Sequence, residues 1–244
     1  MEISNRERYM LLHSLAEEKL MTILTESHAI IAGGALRAVF CDKPISDYDC
    51  YFTRQEDLQK ALDYFDNEEN GANKIFETEN ATSYIKGKAM VQLIKKFVLP
   101  NIQDLLDQFD FTVCMAAFDV FNERLYVADD FLKHNCQKRL VYNPKAQYPL
   151  ASLARIKKYT LKYGYTISGT ELVKLGLCLN KLRLDTFADL KEQLMGIDTL
   201  LLKELTDKLD EEDMKFKQYN FDEFMYMIEE YLDDGYEKLM IEEE

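Results

Sequence analysis

The chain has 244 residues, 47% of them hydrophobic and 12% aromatic, which is enough for one sizeable or two modest cores. With only 9 glycines and 4 prolines it is neither disordered nor collagen-like. No apolar run approaches the ~18 residues of a membrane span, and the charges in Met1–Glu18 exclude a signal peptide there, so a soluble, cytoplasmic protein with no membrane partner is expected.

In chain order, Ser4–Glu26 reads as an amphipathic helix, with Tyr9, Leu12, Leu15, Leu20 and Ile23 near one face and a Ser4/Glu7 capping box. His28–Ala32 is an apolar run of strand length, ended by Gly33-Gly34, and Ala35–Phe40 follows as a helix. Strand, glycine pair and helix in that order make a phosphate cradle. After the break at Asp42-Lys43-Pro44, Asp47–Phe52 reads as a strand and Gln55–Glu69 as a helix. Three strands are expected at Lys74–Thr78, Ser83–Lys86 and Ala89–Lys95, the last two joined through Gly87. A short helix at Ile102–Leu106 precedes a strand at Phe111–Asp119, with Arg124–Val127 as its partner. From Ala151 onward the patterns are all helical: Ala151–Tyr163, Thr170–Leu182, Asp185–Leu194, Thr199–Leu209 and Phe221–Leu239. The expected architecture is α+β, a mixed sheet with flanking helices over residues 1–148, followed by a helical domain over 149–244.

The negative charge is uneven. Residues 201–244 hold 16 Asp/Glu and 5 Lys, a local charge of −11, so the first 200 residues carry only −3 of the total of −14. Residues 131–170 contain eight Lys/Arg and no Asp or Glu. Within that basic stretch, Lys133, Lys138, Arg139 and Lys145 could follow an RNA backbone, although solvated surface charge is the default reading. The acidic end could likewise solvate the terminal helices or dock a basic partner.

Chemistry concentrates at Asp47 and Asp49. Spaced i, i+2 on a strand, they project from one face, and two like charges held together suit Mg²⁺, one ion or two, which prefers carboxylate oxygen and completes its shell with substrate phosphate. A D-x-D pattern alone is common on surfaces, and a glycine pair alone is usually a turn. Their order, one strand apart, is what makes them a candidate NTP site. Arg37, one helical turn beyond the glycines, would face the same cavity. The five cysteines are scattered and never spaced as C-x-x-C, which argues against disulfides and structural zinc. His13, His28 and His134 show no partner pattern and read as structural. Lys86 and Lys88 flank a hairpin turn and could touch substrate, although a plain polar turn is the default reading.

These motifs resemble the head domain of class II CCA-adding enzymes and bacterial poly(A) polymerases, members of the DNA polymerase β nucleotidyltransferase superfamily. The family's glycine pair, Val-Arg-Asp triplet and D-x-D motif are matched by Gly33-Gly34-Ala35-Leu36-Arg37-Ala38 and Asp47-Tyr48-Asp49. Its Arg-Arg-Asp-Phe-Thr-Ile-Asn-Ala segment is similar to Asp110-Phe111-Thr112-Val113-Cys114-Met115-Ala116, and its Arg-Ala-Ile-Arg-Phe helix to Arg155-Ile156-Lys157-Lys158-Tyr159. The resemblance implies that Gly33 and Gly34 hold the triphosphate and that Asp47 and Asp49 bind the metals. It also implies that Asp110 lies beside the nucleotide sugar, although a third metal-binding role for it stays open. Arg155 and Lys158, three apart on one helical face, would bind triphosphate or form a solvated basic face.

The departures are Ala38 for the triplet aspartate, Gln108-Phe109 for two arginines, and a neutral Gln92 where a third carboxylate is sought. The family's Glu-Asp-x-x-Arg helix has no counterpart. The expected function is metal-dependent transfer of a nucleoside monophosphate from an NTP to a hydroxyl, with RNA 3′ ends as the favoured acceptor. The alternatives are nucleotidylation of a protein or small molecule, or a degenerate head that binds nucleotide or a partner without turnover.

Overall fold

The structure is a computed structural model that describes residues 3–194, 197, 205 and 207–230. The chain divides into two compact units between Lys145 and Ala146.

The first unit is built on one mixed sheet. In chain order it contains α1 (Asn5–Glu17), α2 (Met21–Glu26), β1 (Ile30–Ala32), α3 (Gly34–Phe40), β2 (Tyr48–Phe52), α4 (Gln55–Asp66), β3 (Asn73–Glu77), β4 (Ala81–Lys86) and β5 (Ala89–Val98). It continues through α5 (Ile102–Gln108), β6 (Ala116–Asp119), β7 (Arg124–Val127) and α6 (Phe131–Cys136). The seven strands lie in the order β3-β4-β5-β2-β1-β6-β7, antiparallel except where β2 runs parallel to β5. A parallel pair needs a long crossover, and α4 with the β3–β4 hairpin supplies it.

Alternation along β2 decides which face carries chemistry. Tyr48, Cys50 and Phe52 are buried, while Asp49 and Tyr51 between them are half-buried on the opposite face. The buried set joins Ile31, Val91, Leu93 and Phe118 under α1, α3, α4 and α6, with Leu11, Leu15, Leu58, Phe65 and Phe131 from those helices. Each such side chain withdrawn from water contributes about 1.5–3 kcal/mol. The other face has a smaller core, in which α5 lays Leu105 and Leu106 over Ile30, Ala32 and Ala117. Asp49 therefore sits beside a short apolar cover, on the thinly covered side of the sheet.

Three local expectations are corrected. The single helix over Ser4–Glu26 is broken, because Lys19 adopts φ +59° and the Leu20 amide bonds back to the Leu15 carbonyl at 2.9 Å. That is a Schellman-type stop with lysine in the position glycine usually takes, and buried Leu20 completes its hydrophobic contact. The expected strand at Phe111–Asp119 starts only at Ala116: Thr112–Cys114 forms a 3-10 turn, and Phe111 makes an isolated bridge to Tyr142. In the second unit, Thr166–Ile167 is a two-residue strand within the stretch expected to be all helical.

The second unit contains α7 (Pro149–Leu161), α8 (Gly169–Leu179), α9 (Phe187–Gln193), α10 (Glu212–Lys215) and a helical run over 221–230. Phe187, Leu190, Leu209, Met214, Phe224 and Met227 form its core. Most of the expected helix Thr199–Leu209, the end of Phe221–Leu239 and the acidic tail from Asp233 onward lie outside the described residues. Among the described residues, no helix is long and apolar enough to cross a membrane.

α9 begins in a capping box: the Thr186 amide and hydroxyl donate to Asp189 Oδ2 at 2.7 and 2.9 Å, and the Asp189 amide donates to Thr186 Oγ1 at 3.2 Å. The Thr186 hydroxyl, then its amide, hold the Asp189 carboxyl below its ordinary range. A carboxylate depressed in the folded state stabilises above its unfolded pKa, and that contribution is lost as pH falls through the folded value. Asp189→Asn should therefore lower the melting temperature near neutrality, and the gap to the native protein should narrow on acidification through the carboxylate range. Paired thermal melts across pH check this; a gap that stays constant would contradict it.

Candidate active site

The site is assembled where β1 ends and β2 begins. Ala32 on β1 is paired with Asp49 on β2, and Asp49 in turn with Gln92 on β5. Paired Cα atoms of neighbouring antiparallel strands lie about 4.5–5.5 Å apart, so the glycine turn after Ala32 begins within one residue of the Asp49 row. Asp47 stands one residue before β2, half-buried, and its carboxylate accepts a hydrogen bond from the Ser46 hydroxyl. The row of paired residues continues from Gln92 to Ser83 on β4, and from Ala32 to Ala117 on β6.

The two glycines have different tasks. Gly33 is buried at φ +74°, ψ −122°, a conformation that favours glycine. Its amide donates to the Ala116 carbonyl at 3.0 Å and its carbonyl accepts from the Arg37 amide at 3.1 Å, so this residue ties β1, β6 and α3 together. A Cβ here would stand 2.8 Å from Phe109 Cε1. Gly34 is exposed, and a Cβ there would meet nothing within 4 Å. The open ground beside the carboxylates is thus above Gly34, while Gly33 is committed to the fold.

Phe109, at a position expected to bear arginine in the resembled family, turns its ring onto Gly33 and packs edge-on against Tyr51 with centroids 6.0 Å apart. That contact brings the chain at Asp110 to the glycine turn. Asp110 is buried, and its carbonyl accepts from the Asn143 amide at 2.7 Å. Arg37 is buried within α3. Gln92 donates to the Ser83 hydroxyl at 3.0 Å. Arg155 and Lys158 belong to α7 of the second unit, Arg155 half-buried and Lys158 exposed.

The donor set decides what metal would suit. Among the described residues, no group of three or more His, Cys, Asp or Glu could hold an ion. Two half-buried carboxylates without a third fit Mg²⁺, which usually takes one or two protein carboxylates and fills its shell with water and phosphate. They do not make a closed protein cage.

Next to Asp49, burial pushes the Cys50 thiol well above its ordinary range, and the Asp49 charge adds to the effect. A protonated, buried thiol is inert. Cys136, exposed at the end of α6, should react first with a thiol reagent, and Cys50 only on unfolding. Mass mapping after brief alkylation checks the order; early labelling of Cys50 would contradict it.

Two polar features escaped the sequence pattern. His28 is not without partners: its Nδ1 lies 3.3 Å from Asp57 Oδ1, and Arg54 donates to both Asp57 oxygens at 2.7 and 3.0 Å. These residues line a cavity of about 340 Å³ with Thr53, Asp119 and Asn122. His134 meets the Thr112 hydroxyl at 2.7 Å, a bond between α6 and the turn before β6. Lys86 is a structural residue: it donates to the Asn70 carbonyl at 2.6 Å and to the Tyr64 hydroxyl at 3.2 Å.

Comparison with solved structures places this architecture among nucleotidyltransferase-like folds. A complex of a CCA-adding enzyme with CTP superposes with a TM-score of 0.57 at 15% identity, covering 79% of this chain and 51% of that one. An apo tRNA-processing enzyme gives 0.55 at 18%, covering 91% and 62%. The Thermotoga maritima CCA-adding enzyme complexed with tRNA gives 0.53 at 14%, covering 85% and 55%. At such identities the likeness is one of fold, and the resemblance seen in the motifs holds at that level.

The sequence relationship lies elsewhere. Gabija anti-defense 2 of Bacillus phage SPbetaL7 is 34% identical over 210 residues, 85% of this chain and 51% of its own length. The chain thus spans about half the length of the curated relative it matches. A family model described as Gabija anti-defense 2 family protein matches residues 2–138, and the chain belongs to that family.

Proposed function

We propose that the chain is a metal-dependent nucleotidyltransferase and that this activity serves the anti-defence role for which its family is named. The observation that carries the reading is the placement of Asp49 opposite Ala32, at the mouth of the Gly33-Gly34 turn, with Asp47 one residue before the strand. The acceptor hydroxyl oxygen attacks the α-phosphorus of an NTP, the α–β phosphoanhydride bond breaks, pyrophosphate leaves, and the hydroxyl proton goes to solvent. Bound Mg²⁺ would supply Lewis-acid stabilisation of the phosphoryl oxygens and of the leaving group.

This chain's own residues hold and orient. Asp47 and Asp49 present oxygen to the cation, and the Ser46 hydroxyl fixes the Asp47 carboxylate. Gly34 leaves room for phosphate to approach the backbone. The Phe109 ring in place of a guanidinium means that less cationic charge meets the triphosphate, so more of the neutralisation falls to the metal.

The acceptor divides two readings. An RNA 3′ end is favoured by the fold's neighbours, one of them a complex with tRNA. A protein hydroxyl is favoured by the family, since modifying a component of a defence system would disarm it directly. Incubation with α-labelled NTPs, Mg²⁺ and lysate, followed by nuclease or protease digestion, separates them. Label that enters RNA supports the first, label that enters protein the second, and label unchanged in Asp47→Ala and Asp49→Ala variants overturns both.

A further inference from the structure

We propose that Asn143 is a positioning residue that sets Asp110 and the Phe109 ring at the mouth of the site. The inference rests on the nucleotidyltransferase reading and adds to it a residue outside the D-x-D and glycine motifs.

The segment Val141–Asn143 runs alongside Asp110–Thr112. The Thr112 amide donates to the Val141 carbonyl at 3.1 Å, Phe111 bridges Tyr142, and the Asn143 amide donates to the Asp110 carbonyl at 2.7 Å. The Asn143 side chain then carries the pairing past its backbone. Its Nδ2 donates to the carbonyls of Asp107 and Phe109 at 2.9 and 2.8 Å, and its Oδ1 accepts from the Lys145 amide at 3.1 Å. Asp107 is in the last turn of α5 and Phe109 is its C-cap. These are carbonyls that a helix end leaves without intrahelical partners.

Asn143 is only 8% exposed, so water is a poor substitute for it. Asparagine suits the task because one amide nitrogen offers two donors while the oxygen remains an acceptor. Aspartate, of nearly the same shape, would turn acceptors toward two carbonyls. The pinned unit is the end of α5, Phe109 on Gly33, and Asp110. Releasing it moves groups at the glycine turn without altering any side chain there, and small displacements of positioning groups are costly in rate.

The test is a double-mutant cycle. Asn143→Ala and Asn143→Asp are each measured in the native background and in Asp110→Asn, with kcat and KM for the NTP alongside thermal melts. If Asn143 acts through Asp110, each substitution lowers kcat/KM about tenfold in the native background and by less than about twofold in Asp110→Asn, the pattern of residues that work as one unit. Equal losses in both backgrounds would overturn the proposal. So would a lowered melting temperature with unchanged kinetics per folded molecule.

Binding of a fluorescent N-methylanthraniloyl ATP in Mg²⁺ carries the same cycle without turnover. Native protein that binds this nucleotide with additive losses refutes Asn143 alone. Native protein that binds but shows no Asp47-dependent turnover refutes the enzymatic reading, and the binding cycle still decides the role of Asn143. Native protein that neither binds nor turns over nucleotide refutes both.

Discussion

Asp49→Asn will abolish nucleotidyl transfer while leaving the protein folded. The side chain is half-buried on the thinly covered face of β2, opposite Ala32 and next to Gln92 in the same row. Asparagine keeps its shape and its place in the sheet, so packing is conserved. What it removes is one of the two carboxylate charges of the D-x-D pair. Metal ions contribute several kcal/mol of transition-state stabilisation, so losing a ligand should slow turnover by roughly a thousandfold or more. Pyrophosphate release and circular dichroism on the same samples check the two halves of the expectation. A variant that turns over within tenfold of the native rate, about 1.4 kcal/mol in barrier, would remove Asp49 from the chemistry.

Gly33→Ala should be among the most destabilising single-methyl changes in the first unit. Two costs combine. The backbone at φ +74°, ψ −122° is one that side chains rarely adopt, a strain of about 1–3 kcal/mol. The new Cβ would also sit 2.8 Å from the Phe109 ring, and overpacking of this kind costs about 1–3 kcal/mol. Chemical denaturation should report a loss of about 4 kcal/mol, the sum at the middle of these ranges. Phe109→Leu in the same chain should return only the packing share, because the backbone strain has no remedy in the ring. Full rescue by Phe109→Leu would show that the turn tolerates a side chain. Gly34→Ala is the control: its Cβ meets open space and should leave stability nearly unchanged.

The elements that carry the candidate site were legible where they are local in sequence. Gly33-Gly34 after an apolar run and Asp47-Asp49 at alternating positions identify a strand, a turn and a second strand without reference to anything distant. The hairpin at Gly87 and the helix at Ile102 were legible for the same reason. The stop at Lys19 was not, because a Schellman turn built on lysine carries no glycine to announce it. The turn at Thr112–Cys114 reads as strand from its apolar residues, and it forms because Phe111 and Thr112 pair with Tyr142 and Val141 instead of continuing β6.

The roles of Phe109 and Asn143 lie wholly in tertiary contacts. Nothing near Asn143 in sequence says that its amide caps a helix more than thirty residues earlier. The family was legible only in part for a related reason. The motif resemblance rested on a glycine turn and a D-x-D strand, short local features that leave most of the sequence out of account. Ala38, Gln92 and Phe109 show as departures from one pattern without naming another.

The decisive question is whether the Asp47–Asp49 pair drives turnover. The measurement is pyrophosphate release by the native chain and by an Asp47→Ala, Asp49→Ala double variant, with each of the four NTPs, in Mg²⁺ and in EDTA, with RNA and protein fractions as acceptors. The native chain should release pyrophosphate with at least one NTP, and EDTA and the double variant should abolish that release. Release that persists in the double variant, or its absence from the native chain under every acceptor condition, would contradict that expectation.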